Sequence, residues 1–139
     1  MPTLFNFEVH TPYRLFYSGK AQAITLALAD GEIGIYANHS PFTGVVVTGV
    51  LRIKEGDGNW RTAFVSSGIL EVKEHKNVLM VDSAEWPEEI DKERAIQSKE
   101  QAEKILGETN FKFETDKAKE KLRRADYRLK VLEMYQKTG

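Results

Sequence analysis

Glu85-Trp86-Pro87-Glu88-Glu89-Ile90-Asp91-Lys92-Glu93-Arg94-Ala95 divides the chain into two unlike halves. Upstream of it, apolar residues recur at a period near two and glycine is frequent. Downstream they recur at three and four, glycine nearly vanishes and charge density climbs. The first pattern belongs to strands, the second to helices. Pro87 stands at the change, because it cannot donate to a sheet ladder but fits the first turn of a helix. Glu88 and Glu89 then place negative charge at that helix's positive end. The expected organisation is a β domain over residues 1–86 and a helical domain over residues 87–139.

Working back from the seam, Val78 to Val81, Ile69 to Lys73 and Trp60 to Val65 read as strands, separated by Lys76-Asn77 and Ser67-Gly68. Glu55-Gly56-Asp57-Gly58-Asn59 reads as a hairpin turn. Val45-Val46-Val47 and Val50 to Lys54 flank Thr48-Gly49 as two strands, and Ala37 to Phe42 is a loop by composition. Glu32 to Tyr36 follows the Asp30-Gly31 turn, where glycine accepts a positive φ. Ala21 to Leu28 alternates large and small residues as a separate strand. Tyr13 to Tyr17 is expected to be a short strand ending at Ser18-Gly19, and Leu4 to Val9 opens the sheet. Many short strands at this spacing predict an antiparallel sandwich or barrel.

Forward of the seam, Ala95, Ser98, Ala102, Ile105 and Leu106 fall on one side of a helix that Gly107-Glu108-Thr109-Asn110 is expected to stop. A second helix carries Ala118, Leu122, Ala125, Leu129 and Leu132 at steps of four and three. The short turn makes the two an antiparallel αα-hairpin. Alanine at four seam positions lets the axes approach closely but buries little area. Two readings stay open: a fixed helical cap on the sandwich, or a hairpin that detaches at modest cost.

Composition bounds the function. The chain has 139 residues, 41% hydrophobic and 29% charged, with a net charge of −1. That describes a soluble globular class with no basic field for nucleic acid. The absence of Cys excludes disulfides, thiolate metal sites and a Cys nucleophile. Met1-Pro2-Thr3-Leu4 lacks the features of a secretory signal. No stretch approaches the roughly 18 apolar residues of a membrane span, so membrane contact is expected only through partners.

His10, His39 and His75 have no metal-ligand spacing, and no nucleophile elbow, Walker loop or dinucleotide fingerprint occurs. The carboxylates lie mostly among Lys and Arg on helix faces, as solvated ion pairs do. An enzyme is therefore disfavoured. Arg124 and Arg128, four residues apart beside the alanine seam, and Arg94 near Asp91 admit two readings. They form i,i+4 ion pairs such as Arg124 with Glu120, which spacing alone favours, or they converge on phosphate oxygens.

Thr11-Pro12, Asp30-Gly31-Glu32-Ile33-Gly34-Ile35, Asn38-His39-Ser40-Pro41, Gly49-Val50-Leu51-Arg52-Ile53, Ser67-Gly68-Ile69-Leu70-Glu71-Val72 and Ile90-Asp91-x-x-Arg94-Ala95 recur in an order that resembles one family over essentially the whole chain. That family is the epsilon subunit of bacterial F-type ATP synthase. The resemblance implies a sandwich of about ten strands, a C-terminal two-helix domain and no catalysis in this chain. It implies a place in the rotating stalk, peripheral to the cytoplasmic side of the bacterial inner membrane, against the gamma subunit and the c-subunit ring. The loops of Asp30, Gly31 and Glu32 and of Asn38, His39, Ser40, Pro41 and Phe42 correspond to the ring-facing end. The hairpin would either fold on the sandwich or extend along gamma into the alpha/beta catalytic head and block ATP hydrolysis.

No cofactor is required by the resemblance, but ATP is implied as a regulatory ligand. The matching positions are Glu85, Ile90, Asp91, Arg94, Ala95, Arg124 and Arg128. Ile90 and Ala95 would bound the adenine, Asp91 and Glu85 would accept from its amino group or the ribose, and the arginines would take phosphates. Gln101 stands where strongly binding relatives carry another Arg, which implies weaker binding. Ser67 replaces the first of a Gly pair and is expected to reshape that turn if a positive φ is needed. A stand-alone nucleotide-binding sensor is the alternative function.

Overall fold

The computed structural model describes residues 3–138. Met1, Pro2 and Gly139, at the ends of the two expected domains, lie outside the described residues. Among the described residues nine strands precede two helices. They are β1 (Phe5–His10), β2 (Leu15–Leu28), β3 (Gly31–Tyr36), β4 (Phe42–Val46), β5 (Gly49–Glu55), β6 (Trp60–Val65), β7 (Gly68–Lys73), β8 (Lys76–Val81) and β9 (Ala84–Glu85). A 3-10 turn, Pro87–Glu89, leads to α1 (Lys92–Glu108) and α2 (Lys112–Thr138).

The long β2 belongs to both layers of the sandwich. Its first half pairs with β1, and its second half pairs with β3 and β5. One layer continues from β1 through β8 and β7 to β4, the other from β5 through β6 to β9. Phe7, Val9, Ile24, Leu26, Ile35, Leu51, Ile53, Leu70 and Leu79 fill the space between, all essentially inaccessible. Their alternation with exposed neighbours is the period-two pattern of the sequence. At one end Trp86 stacks on Phe16 at 4.3 Å, and the Arg61 guanidinium lies 3.8 Å from the Trp86 ring. The chain is thus gripped just before it leaves the sheet.

Several expectations are corrected. Tyr13–Tyr17 is not a separate strand: β2 runs unbroken through Ser18 and Gly19, because the Tyr17 ring folds over Gly19 and fills the place of its missing side chain. The two-residue β9, invisible as a pattern, restores the count. The sandwich is not wholly antiparallel, since β1 and β8 run parallel. Pro87 opens the 3-10 turn and not the helix, which starts only after Asp91 caps it through Arg94 N–H. Gly107 does not stop α1, which runs on to Glu108 and ends at Thr109. Ser67 does not take a positive φ. Gly68 is the residue the turn requires, since a Cβ there would collide with the Met80 carbonyl oxygen.

In the hairpin Ala95, Ala102, Ala118 and Ala125 are buried between the helices, as the seam predicts. α2 lies on the outer face of β5 and β6. There Val131, absent from the expected seam, closes a small cluster with Phe64 and Ile90.

Candidate functional site

Two regions gather the residues singled out in the sequence. The first is a cavity of about 510 Å³ between the helices and the end of the sandwich. Its lining includes Glu85, Asp91, Arg94, Ala95, Arg124 and Arg128, six of the seven positions expected for a nucleotide. Ile90 is not in the wall. It packs against Phe64 and Val131 instead, because the turn after Pro87 aims it at the sandwich.

Each wall residue is placed by local structure. Asp91 Oδ1 accepts from Arg94 N–H at 3.1 Å and caps α1, which puts Arg94 and Ala95 in the first turn. Glu85 ends β9, and Arg128 Nε donates to its Oε1 at 2.6 Å. Arg124 lies 3.6 Å from Glu120, the ion pair that spacing favours. Arg128 does not form an i,i+4 pair; it reaches a carboxylate from the other domain. Glu89 accepts from Arg14 at 2.8 Å, and that bond, with the Trp86 N–H, holds its carboxyl below the usual range despite some desolvation.

The sequence reading missed Ser98, Glu89, Lys117 and Lys121, which also line the cavity. The two lysines were legible. Lys117, Lys121, Arg124 and Arg128 step by four, three and four along α2, one cationic stripe on one face. Five cations thus face three carboxylates. Such a surplus suits an anion with several oxygens. Among the described residues no cluster of His, Asp and Glu is arranged to hold a metal ion.

The second region is a shallower cavity of about 740 Å³ at one end of the sandwich. It joins Asp30, Gly31 and Glu32 to His39, Ser40, Pro41 and Phe42. Gly31 takes a φ of +136°, which a side chain would resist. Asn38 lies outside the wall and turns the loop at a φ of +66°. His39 Nδ1 lies 2.7 Å from the Ser40 carbonyl oxygen, and its ring packs on Phe42 at 5.2 Å.

The uncovered layer carries a row that the sequence pattern did not single out. Val45, Ile69 and Met80 lie side by side in register and are 63%, 45% and 41% exposed. His10 and the half-exposed Leu15 continue the row. No helix of the described residues is long and apolar enough to cross a membrane.

Two family models match consecutive parts of the chain. The family model described as ATP synthase, Delta/Epsilon chain, beta-sandwich domain matches residues 4–87. The companion model, the long alpha-helix domain of the same chain, matches residues 88–133. An ATP synthase epsilon chain of Caldicellulosiruptor saccharolyticus is 44% identical over 93% of both chains. One from Caldanaerobacter subterraneus is 42% identical over 98% of this chain and 99% of its own. Among solved structures, a chain in the mitochondrial ATP synthase of Euglena gracilis superposes with a TM-score of 0.82 at 19% identity, over 98% of this chain and 83% of that one. A chain from the Tetrahymena thermophila mitochondrial ATP synthase central stalk and c-ring gives 0.59 at 14% identity, over 94% and 98%. At those identities the likeness is one of fold.

Proposed function

Because this chain belongs to the ATP synthase epsilon family, a non-catalytic subunit of the F-type enzyme, we propose that it works as a stalk clamp carrying a movable brake on ATP hydrolysis. The sandwich is the clamp. Its row of Val45, Ile69 and Met80 is an apolar strip that no element among the described residues covers, and it suits a long-lived contact with the gamma subunit. The end cavity of Asp30–Glu32 and His39–Phe42, largely apolar with a few charged and polar groups at its wall, faces the c-subunit ring. Attachment to the membrane is then indirect, on the side where the catalytic head sits.

The hairpin is the brake. The observation that carries this reading is how little holds it down. Among the described residues the ties of α2 to the sandwich include Arg128–Glu85, the same guanidinium over the Phe64 ring, a 2.8 Å bond from Thr48 to Glu120, and the small cluster of Phe64, Ile90 and Val131 with Val50, Tyr127 and Leu132 packed against it. The large core of the sandwich is complete without any of them. The helices otherwise bury alanine against each other, which travels with them if they leave.

ATP in the cavity between the helices would bind only the folded form. It would stabilise that form by about 2.7 kcal/mol at a hundredfold excess over Kd. That suffices to hold a balanced switch folded. Removing residues after Asp91 tests the brake. The shortened chain is expected to join the stalk and leave hydrolysis unrestrained. Full inhibition by that chain would refute the proposal.

A further inference from the structure

We propose that Lys121, held across the hairpin by Gln101, contacts phosphate in the cavity between α1 and α2, with Gln101 as its positioning residue. This rests on the nucleotide reading above and names one part of it. Of the five cations in the wall, Arg128 is paired with Glu85 and Arg124 lies beside Glu120. Among the described residues, Arg94, Lys117 and Lys121 have no carboxylate within ion-pair distance. None of the three is ion-paired where the cavity opens.

Lys121 differs from the other two in being positioned. Its Nζ donates to Gln101 Oε1 at 2.7 Å. An ammonium has three donors, so a single bond to a neutral amide leaves two donors and the full charge available. A carboxylate at 101 would cancel that charge, and a guanidinium would repel it. Glutamine orients the lysine and does neither. The residue type at 101, which from the sequence implies a lost phosphate partner, here supplies one by way of α2. Three cations free of ion pairs fit a polyphosphate chain better than a monophosphate. The ligand class is therefore a nucleoside di- or triphosphate, and Lys121 discriminates by phosphate number.

The test is calorimetric titration of the purified full chain with ATP and AMP, for the unaltered protein and for Lys121→Gln, Lys121→Arg, Gln101→Ala and Arg124→Ala. Lys121→Gln is expected to weaken ATP by about tenfold, the worth of one charge-assisted hydrogen bond, with AMP little changed. Lys121→Arg should retain ATP. Gln101→Ala should weaken ATP less, and should add nothing once Lys121 is Gln. An equal loss for ATP and AMP would mean that Lys121 acts only on folding and would overturn the proposal. So would unchanged ATP affinity in Lys121→Gln while Arg124→Ala loses it, which leaves the site standing without Lys121. Absence of ATP binding by the unaltered chain would overturn the site reading itself, and this inference with it.

Discussion

Arg128 donates its Nε–H to the Glu85 carboxylate at 2.6 Å, and this bond joins the last strand of the sandwich to the middle of the last helix. The side chains are 27% and 30% exposed, so the contact is better sheltered than a surface ion pair. The same guanidinium lies 4.5 Å from the centre of the Phe64 ring. One side chain thus bonds to the sheet edge and covers its aromatic face.

Arg128→Ala is expected to loosen the hairpin by about 1–2 kcal/mol, from a charge-assisted bond and a cation–π contact. Amide exchange across α2 should then quicken about five- to thirtyfold while the strands keep their protection. Unchanged exchange in α2 would show that the tie carries no docking energy.

Phe64→Ala removes the centre of the small docking cluster. Full burial puts the loss at about 3–5 kcal/mol. The ring faces α2 and not the sandwich interior, so the loss should fall on docking. Limited proteolysis between Pro87 and Asp91 is expected to become fast, with the fragment ending near Trp86 still folded. Cleavage spread over the strands would contradict this division.

Those two residues also mark what the sequence could and could not reveal. Alternation exposed most strands, and steps of three and four exposed the alanine seam. Asp91, Arg94 and Ala95 were named by the family resemblance, and they lie together in the cavity because they share one capped turn. Glu85 and Arg128 are 43 residues apart, and nothing in either pattern states their distance. Ile90, expected against an adenine, packs on the sandwich instead, because a 3-10 turn rather than a helix sets its direction. Gly19 was misread as a break, since its compensation by Tyr17 is a side-chain event.

Tyr17 gives a pH signature. Burial, then its bond to Glu55, raises the phenol to about 12. The unfolded phenol ionises near 10. Stability from the neutral buried phenol is therefore fully present below pH 10 and is lost as pH rises toward 12, on the order of 2–3 kcal/mol. Denaturant midpoints should fall across that window, and less steeply in Tyr17→Phe. Equal slopes in the two proteins would remove Tyr17 as the cause.

Gly68 opens β7 opposite Val81 of β8. A methyl group there meets the Met80 carbonyl oxygen and Val81 Cα, which are backbone and cannot swing aside. Gly68→Ala is expected to part the two strands and to destabilise the sandwich by about 3 kcal/mol or more, read from a urea midpoint. The Val45–Ile69–Met80 row should be disrupted with it, weakening stalk assembly.

Ala125 and Ala102 are both wholly buried, one from each helix. Two outcomes are physically open for Ala125→Leu. If space remained between the axes, the larger side chain would fill it and stabilise the hairpin. If alanine is there because the axes already touch, leucine must push them apart, at about 1–3 kcal/mol. Complete burial of both methyl groups favours the second outcome. The cavity wall is shared by α1 and α2, so separation would also move Arg94 away from Arg124. Ala125→Leu should therefore lower the protection of α1 and α2 together and weaken ATP binding, while Ala125→Gly lowers protection through helix propensity and the loss of one buried methyl group, without parting the axes. Stabilisation by the leucine would mean that the seam is loosely packed, and the proposed detachment of the hairpin would have to rest on its contacts with the sandwich alone.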